Sequence, residues 1–97
     1  MAKVINNQRG FLIIKMTSEE ARSIGFGCAE GLICDMCNEI VAQPGYYIAV
    51  LNYYVCEDCY KNWYAGAHRY SEDIYYEEGA FNDCIARLQK EGINIEE

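Results

Sequence analysis

Positive charge is scarce in this chain. Its 97 residues hold eight Lys and Arg against fifteen Asp and Glu, a formal net charge of −7. The eight cations are scattered, so the basic face on which duplex-binding modules rely for phosphate neutralisation is missing and duplex binding is disfavoured. Long apolar runs are also lacking. The best near the N-terminus, Phe11-Leu12-Ile13-Ile14, is far too short to span a membrane. No basic stretch followed by an apolar one marks a secretory signal. There is one histidine, His68. No G-x-S-x-G, phosphate-cradling glycine loop or HExxH occurs, so nothing points to an enzyme.

Against these absences stand six cysteines. Four fall in two pairs, Cys34-Asp35-Met36-Cys37 and Cys56-Glu57-Asp58-Cys59. A CxxC turn sets two sulfurs on one side of a tight loop, and two such loops close a tetrahedron around one metal ion. The expected ligands are Cys34, Cys37, Cys56 and Cys59, and the expected ion is one structural Zn²⁺. Iron suits the same four sulfurs. Catalytic zinc keeps a position open for water, and four thiolates leave none. A four-ligand zinc contributes on the order of 10 kcal/mol of apparent folding free energy, which matters in so short a chain. Paired CxxC spacing without a secretory signal implies a reducing compartment, and the expected location is the cytoplasm.

The remaining cysteines have plainer readings. Cys84 lies on the apolar stripe of the last expected helix and packs as a small hydrophobe. Cys28, six residues before Cys34, is a reserve ligand at most. A Cys28–Cys84 disulfide is disfavoured in a reducing setting. His68, at a helix end without a placed nucleophile, reads as a surface residue or a cap.

The chain order suggests an α+β domain spanning 1–97. Lys3-Val4-Ile5 and Phe11–Lys15 are the arms of a hairpin. Thr17 and Glu20 form a capping box for a helix from Ser18 to about Ile24. Asn38, just after the second cysteine, tolerates the left-handed backbone that a metal knuckle needs. Tyr46–Val50 and Tyr53–Val55 read as strands joined tightly at Leu51-Asn52. A helix from Cys56 to about Tyr70 carries the second pair in its first turn, with Tyr60, Trp63, Tyr64 and Ala67 on one face. Ser71 to Gly79 reads as a linker, and Ala80–Lys90 as a final amphipathic helix. Ile93–Ile95 adds a short strand.

Knuckle, hairpin, then a helix bearing the last two ligands: over about 33–70 this order resembles the treble-clef zinc finger. Its ligand spacing is similar to the first half of a LIM domain, with Cys56 where that family usually has His. No second set of four ligands follows Cys59, so a tandem LIM arrangement is not implied. The phrase from Tyr46 to Trp63 also resembles small zinc proteins of bacterial mobile elements and phages. The resemblance implies a structural zinc and a small α+β core with an added N-terminal strand and helix and a C-terminal helix. Treble clefs host many functions, so it implies no activity.

One stretch invites a functional reading. Tyr70, Tyr75 and Tyr76, with Glu72, Asp73, Glu77 and Glu78, would give a protein partner rigid contact area and steer a basic one. The bland alternative is a solvated linker with Ile74 or Tyr75 tucked into the core. The expectation is a non-enzymatic zinc module that binds another protein, a homodimer being equally served by such a surface. Two other readings stay open. One is an acidic inhibitor that mimics nucleic acid, which requires a continuous acidic face. The other is nucleic-acid binding, which requires a basic patch around Lys3, Arg9, Lys15 and Arg22.

Overall fold

The computed structural model describes residues 2–26, 33–41 and 44–96. Its centre is a five-stranded sheet with strand order β4-β3-β2-β1-β5. The strands are β1 (Ala2–Ile5), β2 (Ile13–Met16), β3 (Gly45–Ile48), β4 (Tyr53–Val55) and β5 (Ile95–Glu96). All neighbours are antiparallel except β1 and β5, which run parallel. Three helices accompany the sheet: α1 (Ser18–Ser23), α2 (Glu57–Gly66) and α3 (Ile74–Lys90).

The N-terminal hairpin and the cysteine-bearing hairpin, separate units in the sequence, are one sheet. Pairing of β2 with β3 sets Ile13 opposite Ile48 and Ile14 opposite Tyr47. Alternation then sorts the side chains into two faces. Val4, Ile14, Tyr47 and Tyr54 align across one face. There Tyr47 donates to the Ala80 carbonyl of α3, and Phe26, just beyond α1, packs its ring 5.5 Å from that of Tyr47. Lys3, Lys15, Tyr46 and Val55 align across the other. On that side Tyr60 of α2 stacks on Tyr46 at 4.3 Å, and Trp63 lies 4.8 Å from Phe11. The sheet is thus covered by α1 and α3 on one side and α2 on the other. The apolar stripe of α2 packs on the sheet as its spacing indicates.

Local signals explain the element ends. The Thr17 hydroxyl accepts from the Glu20 N–H and the Glu20 carboxylate accepts from the Thr17 N–H, completing the capping box. Asn38 and Asn52 take φ of 64° and 56°, the left-handed values their turns require. The β3–β4 turn is wider than two residues, running from Ala49 to Asn52.

The strands shift by one or two residues from the sequence reading, with β2 at Ile13–Met16, β3 at Gly45–Ile48 and β5 at Ile95–Glu96, and two helix boundaries differ more. Helix α2 stops at Gly66 rather than near Tyr70. There Arg9 donates to the terminal carbonyls of Ala67 and Ala65 and lies 4.9 Å over the Tyr64 ring. Helix α3 starts at Ile74, not Ala80, after a short 3-10 turn at Ser71–Asp73. The stretch read as a linker is therefore helix. Cys28 and the loop around it lie outside the described residues.

Candidate metal centre

The first cysteine pair sits on a small loop closed by an antiparallel bridge between Ile33 and Ile40. Within it the Cys34 N–H donates to the Glu39 carbonyl at 2.8 Å, and the Asn38 N–H to the Cys34 carbonyl at 3.0 Å. This folds the loop around its own sulfur: the Met36 N–H lies 3.4 Å from Cys34 Sγ. The second pair arrives with the end of β4. Cys56 is the N-cap of α2, in extended backbone, and Cys59 lies in the first helical turn. Glu57 and Asp58 share that turn, where the positive end of the helix dipole favours acids.

The four sulfurs of Cys34, Cys37, Cys56 and Cys59 all lie within 4.8 Å of one another. Cys37 Sγ and Cys56 Sγ are 3.9 Å apart. Zinc–sulfur bonds of about 2.3 Å place the corners of an ideal tetrahedron about 3.8 Å apart, so the cluster is the right size for one ion. None of the five described cysteines is in a disulfide. The sequence-derived ligand set is thus brought together.

The electrostatics show why a cation belongs here. Burial would push the Cys34 thiol up, but the backbone N–H groups of Cys37, Cys56 and Met36 outweigh it and bring it from 9.0 down to about 7. Cys59 moves the other way, raised by burial and by the sulfurs of Cys56, Cys37 and Cys34. At Cys37 the Glu39 N–H and the Cys59 sulfur pull downward, yet desolvation and the Cys34 and Cys56 sulfurs prevail and the thiol is raised. The Cys34 sulfur is favoured as a thiolate, while Cys37 and Cys59 resist further negative charge. A divalent ion removes that conflict and lets all four ionise.

The other candidates are placed as follows. Cys84 is buried in α3, away from the cluster, and burial pushes its thiol up to about 12. His68 is exposed, with its ring edge-on to Tyr70 at 4.6 Å. Tyr70, Tyr75 and Tyr76 are exposed, as are Glu72 and Glu78, while Asp73 is half-buried. Ile74 is half-buried, and Tyr75, at 92% exposure, is not in the core at all. Glu77 does not belong to this surface. It is 1% exposed, accepts from the Leu12 N–H at 3.0 Å and pairs with Arg69 at 2.9 Å. The four basic residues do not form one patch. Lys3 and Lys15 are cross-strand partners on the α2 side, Arg9 caps α2, and Arg22 is on α1 across the sheet. No helix among the described residues is long and apolar enough to cross a membrane.

A four-cysteine metal-binding cluster within a small α+β fold is the functional feature that the geometry carries. Comparison with protein-family models, with curated proteins and with solved structures finds no match to this chain.

Proposed function

We propose that this chain is a non-enzymatic protein-interaction module built on one structural zinc. The observation that carries the reading is the convergence of four cysteine sulfurs to within 4.8 Å. Four thiolates close the coordination sphere and leave no position for a substrate or a catalytic water. Zinc is favoured over iron because it is the commoner occupant of a structural site of this kind. The bridge-closed loop, the β3–β4 hairpin and α2, with Cys56 and Cys59 at its start, follow the treble-clef order, and the sheet extends that core in a single unit. Reduced thiols suit the cytoplasm.

A protein partner is favoured over nucleic acid by the net charge of −7 and the division of the basic residues between the two sides of the sheet. The acidic mimic is less well supported. The carboxylates are dispersed over α1, the cysteine loop, α2, α3 and β5, and Glu57, Glu77, Asp83 and Glu96 are spent on ion pairs.

The test is metal content by mass spectrometry on protein purified without added metal, with thermal melting before and after chelation. One zinc per chain and loss of the cooperative melt on chelation are expected. A metal-free protein that melts unchanged would overturn the zinc reading. Affinity capture across a range of salt concentrations then tests the interaction reading, which fails if no partner is recovered.

A further inference from the structure

Helix α3 carries a surface that folding does not account for. Its inward positions are filled by Glu77, Cys84 and Leu88, all buried. On the other side stand Tyr75 and Tyr76, 92% and 56% exposed, and Gly79. Gly79 is four residues from Tyr75 and three from Tyr76, so the three share one stretch of helix surface. Glycine weakens a helix interior relative to alanine. Gly79 has no left-handed backbone to excuse it, and a Cβ added there would meet nothing within 4 Å. Neither conformation nor packing within the chain calls for glycine. What glycine provides is bare helix surface one turn from two exposed tyrosines.

The charge along this stretch of sequence has one sign. No Lys or Arg occurs between Tyr70 and Ala86, while five carboxylates do. Glu77 is satisfied by Arg69 and Asp83 by Arg87. Glu72, Asp73 and Glu78 make no ion pair among the described residues. Acids near a helix N-terminus have a structural rationale in the dipole, so they alone would indicate no ligand. Exposed aromatic rings and an unexplained glycine beside them do. Elsewhere in the molecule such rings already hold cations: Arg9 lies 4.9 Å over Tyr64 and Lys15 5.7 Å from the Tyr46 ring centre.

We propose that the exposed face of α3 at Gly79, with Tyr75 and Tyr76 one turn before it, docks a Lys- and Arg-rich segment of another protein. One cationic side chain crosses Gly79 against the phenol rings, where cation–π attraction and the apolar stem both contribute. Its basic neighbours pair with Glu72 and Glu78. The proposal rests on the protein-interaction reading and supplies the chemistry of the partner.

The test is an NMR titration of zinc-loaded protein with short oligoarginine and oligolysine peptides at physiological salt, and oligoglutamate as control. Shifts concentrated between residues 72 and 82 are expected for the cationic peptides and none for the acidic one. Gly79→Ala should raise Tm and weaken cationic peptide binding by about fivefold or more, a gain in folding joined to a loss in binding. Tyr75→Ser with Tyr76→Ser should weaken it similarly with the melt retained. Shifts spread over carboxylates throughout the molecule, or a Gly79→Ala variant that binds with unchanged affinity, would overturn the proposal. The peptides need no natural partner, so failure of partner capture by the wild-type protein leaves this result standing. Capture that Gly79→Ala retains in full overturns the docking site at Gly79 and leaves the interaction reading intact.

Discussion

Asp35 and Tyr54 hydrogen-bond to each other twice. The Asp35 N–H donates to the Tyr54 carbonyl at 3.1 Å, and the Tyr54 N–H donates to Asp35 Oδ2 at 2.9 Å. Asp35 lies between the first two cysteines, and Tyr54 lies two residues before the third. The pair therefore fixes one half of the metal centre against the other. It also satisfies backbone groups on the free edge of β4, which would otherwise invite pairing with another chain. Asp35→Ala should lower zinc affinity about tenfold, as removal of an outer partner of metal ligands commonly does. Asp35→Asn keeps an acceptor and should lose less. Competition with a chromophoric chelator measures both. Unchanged affinity in Asp35→Ala would mean that the carboxylate adds nothing to what the metal and the remaining Asp35 N–H to Tyr54 carbonyl bond hold together.

The metal centre was legible because its determinants are local. Two CxxC turns, Asn38 and the capping box each act over a few residues, and each is found where the spacing put it. The joining of the two hairpins was not legible, because pairing of β2 with β3 links segments some thirty residues apart. The early start of α3 was hidden by chemistry. Glu77 occupies an inward slot in the row continued by Cys84 and Leu88, so the apolar period seemed to begin only at Phe81. A carboxylate fits that slot because Arg69 and the Leu12 N–H, brought together only by the fold, reach it. The tyrosines of 70–78 were visible in the sequence, but which of them face water was not.

A hydroxyl-centred link, also made by Tyr54, holds the sheet. Tyr54 OH accepts from the Gly45 N–H at 2.8 Å and donates to the Met16 carbonyl at 2.9 Å, all in the buried interior. Tyr54→Phe leaves a donor and an acceptor unpaired and should cost about 1–3 kcal/mol in urea unfolding. Gly45 is glycine for a related reason. A Cβ there would lie 2.6 Å from Tyr54 Cζ and 2.7 Å from the Val55 carbonyl oxygen. The backbone oxygen cannot swing aside, so Gly45→Ala should also cost about 1–3 kcal/mol. Adding Tyr54→Phe should not rescue it, since ring and carbonyl remain. A fully stable double variant would disprove the steric account.

Glu77 ties α3 to Arg69 in the segment after α2 and, through the Leu12 N–H, to the loop before β2. Glu77→Ala strands the Leu12 N–H and leaves Arg69 without its counter-charge. Arg69 keeps some access to water, at 29% side-chain exposure. The expected loss is therefore about 2–3 kcal/mol, below the 3–5 kcal/mol of a fully buried pair. Glu77→Gln still accepts from Leu12 and should recover part of it. Urea midpoints at neutral pH measure both variants. A loss within about 0.5 kcal/mol for Glu77→Ala would show that water replaces the carboxylate without penalty, as at a surface position.

Cys84 should make stability fall with pH in the alkaline range. Burial, reinforced by Asp83 and opposed by Arg87, pushes its thiol from 9.0 up to about 12 in the folded chain. Below 9 both folded and unfolded chains hold the proton, and the neutral buried thiol makes its full contribution. Between 9 and 12 the unfolded chain releases the proton while the folded chain retains it, so stability is lost as pH rises. The limiting slope for one such group is about 1.4 kcal/mol per pH unit. The tyrosines also titrate in this range, so the informative quantity is the difference between the wild-type protein and Cys84→Ala. That difference should favour wild type near neutral pH, through lost packing of about 1 kcal/mol, and should shrink or reverse toward pH 12. Equilibrium unfolding in urea at stepped pH measures it. A difference that stays flat from 9 to 12 would mean that the folded Cys84 thiol ionises as readily as the unfolded one, contrary to its buried position.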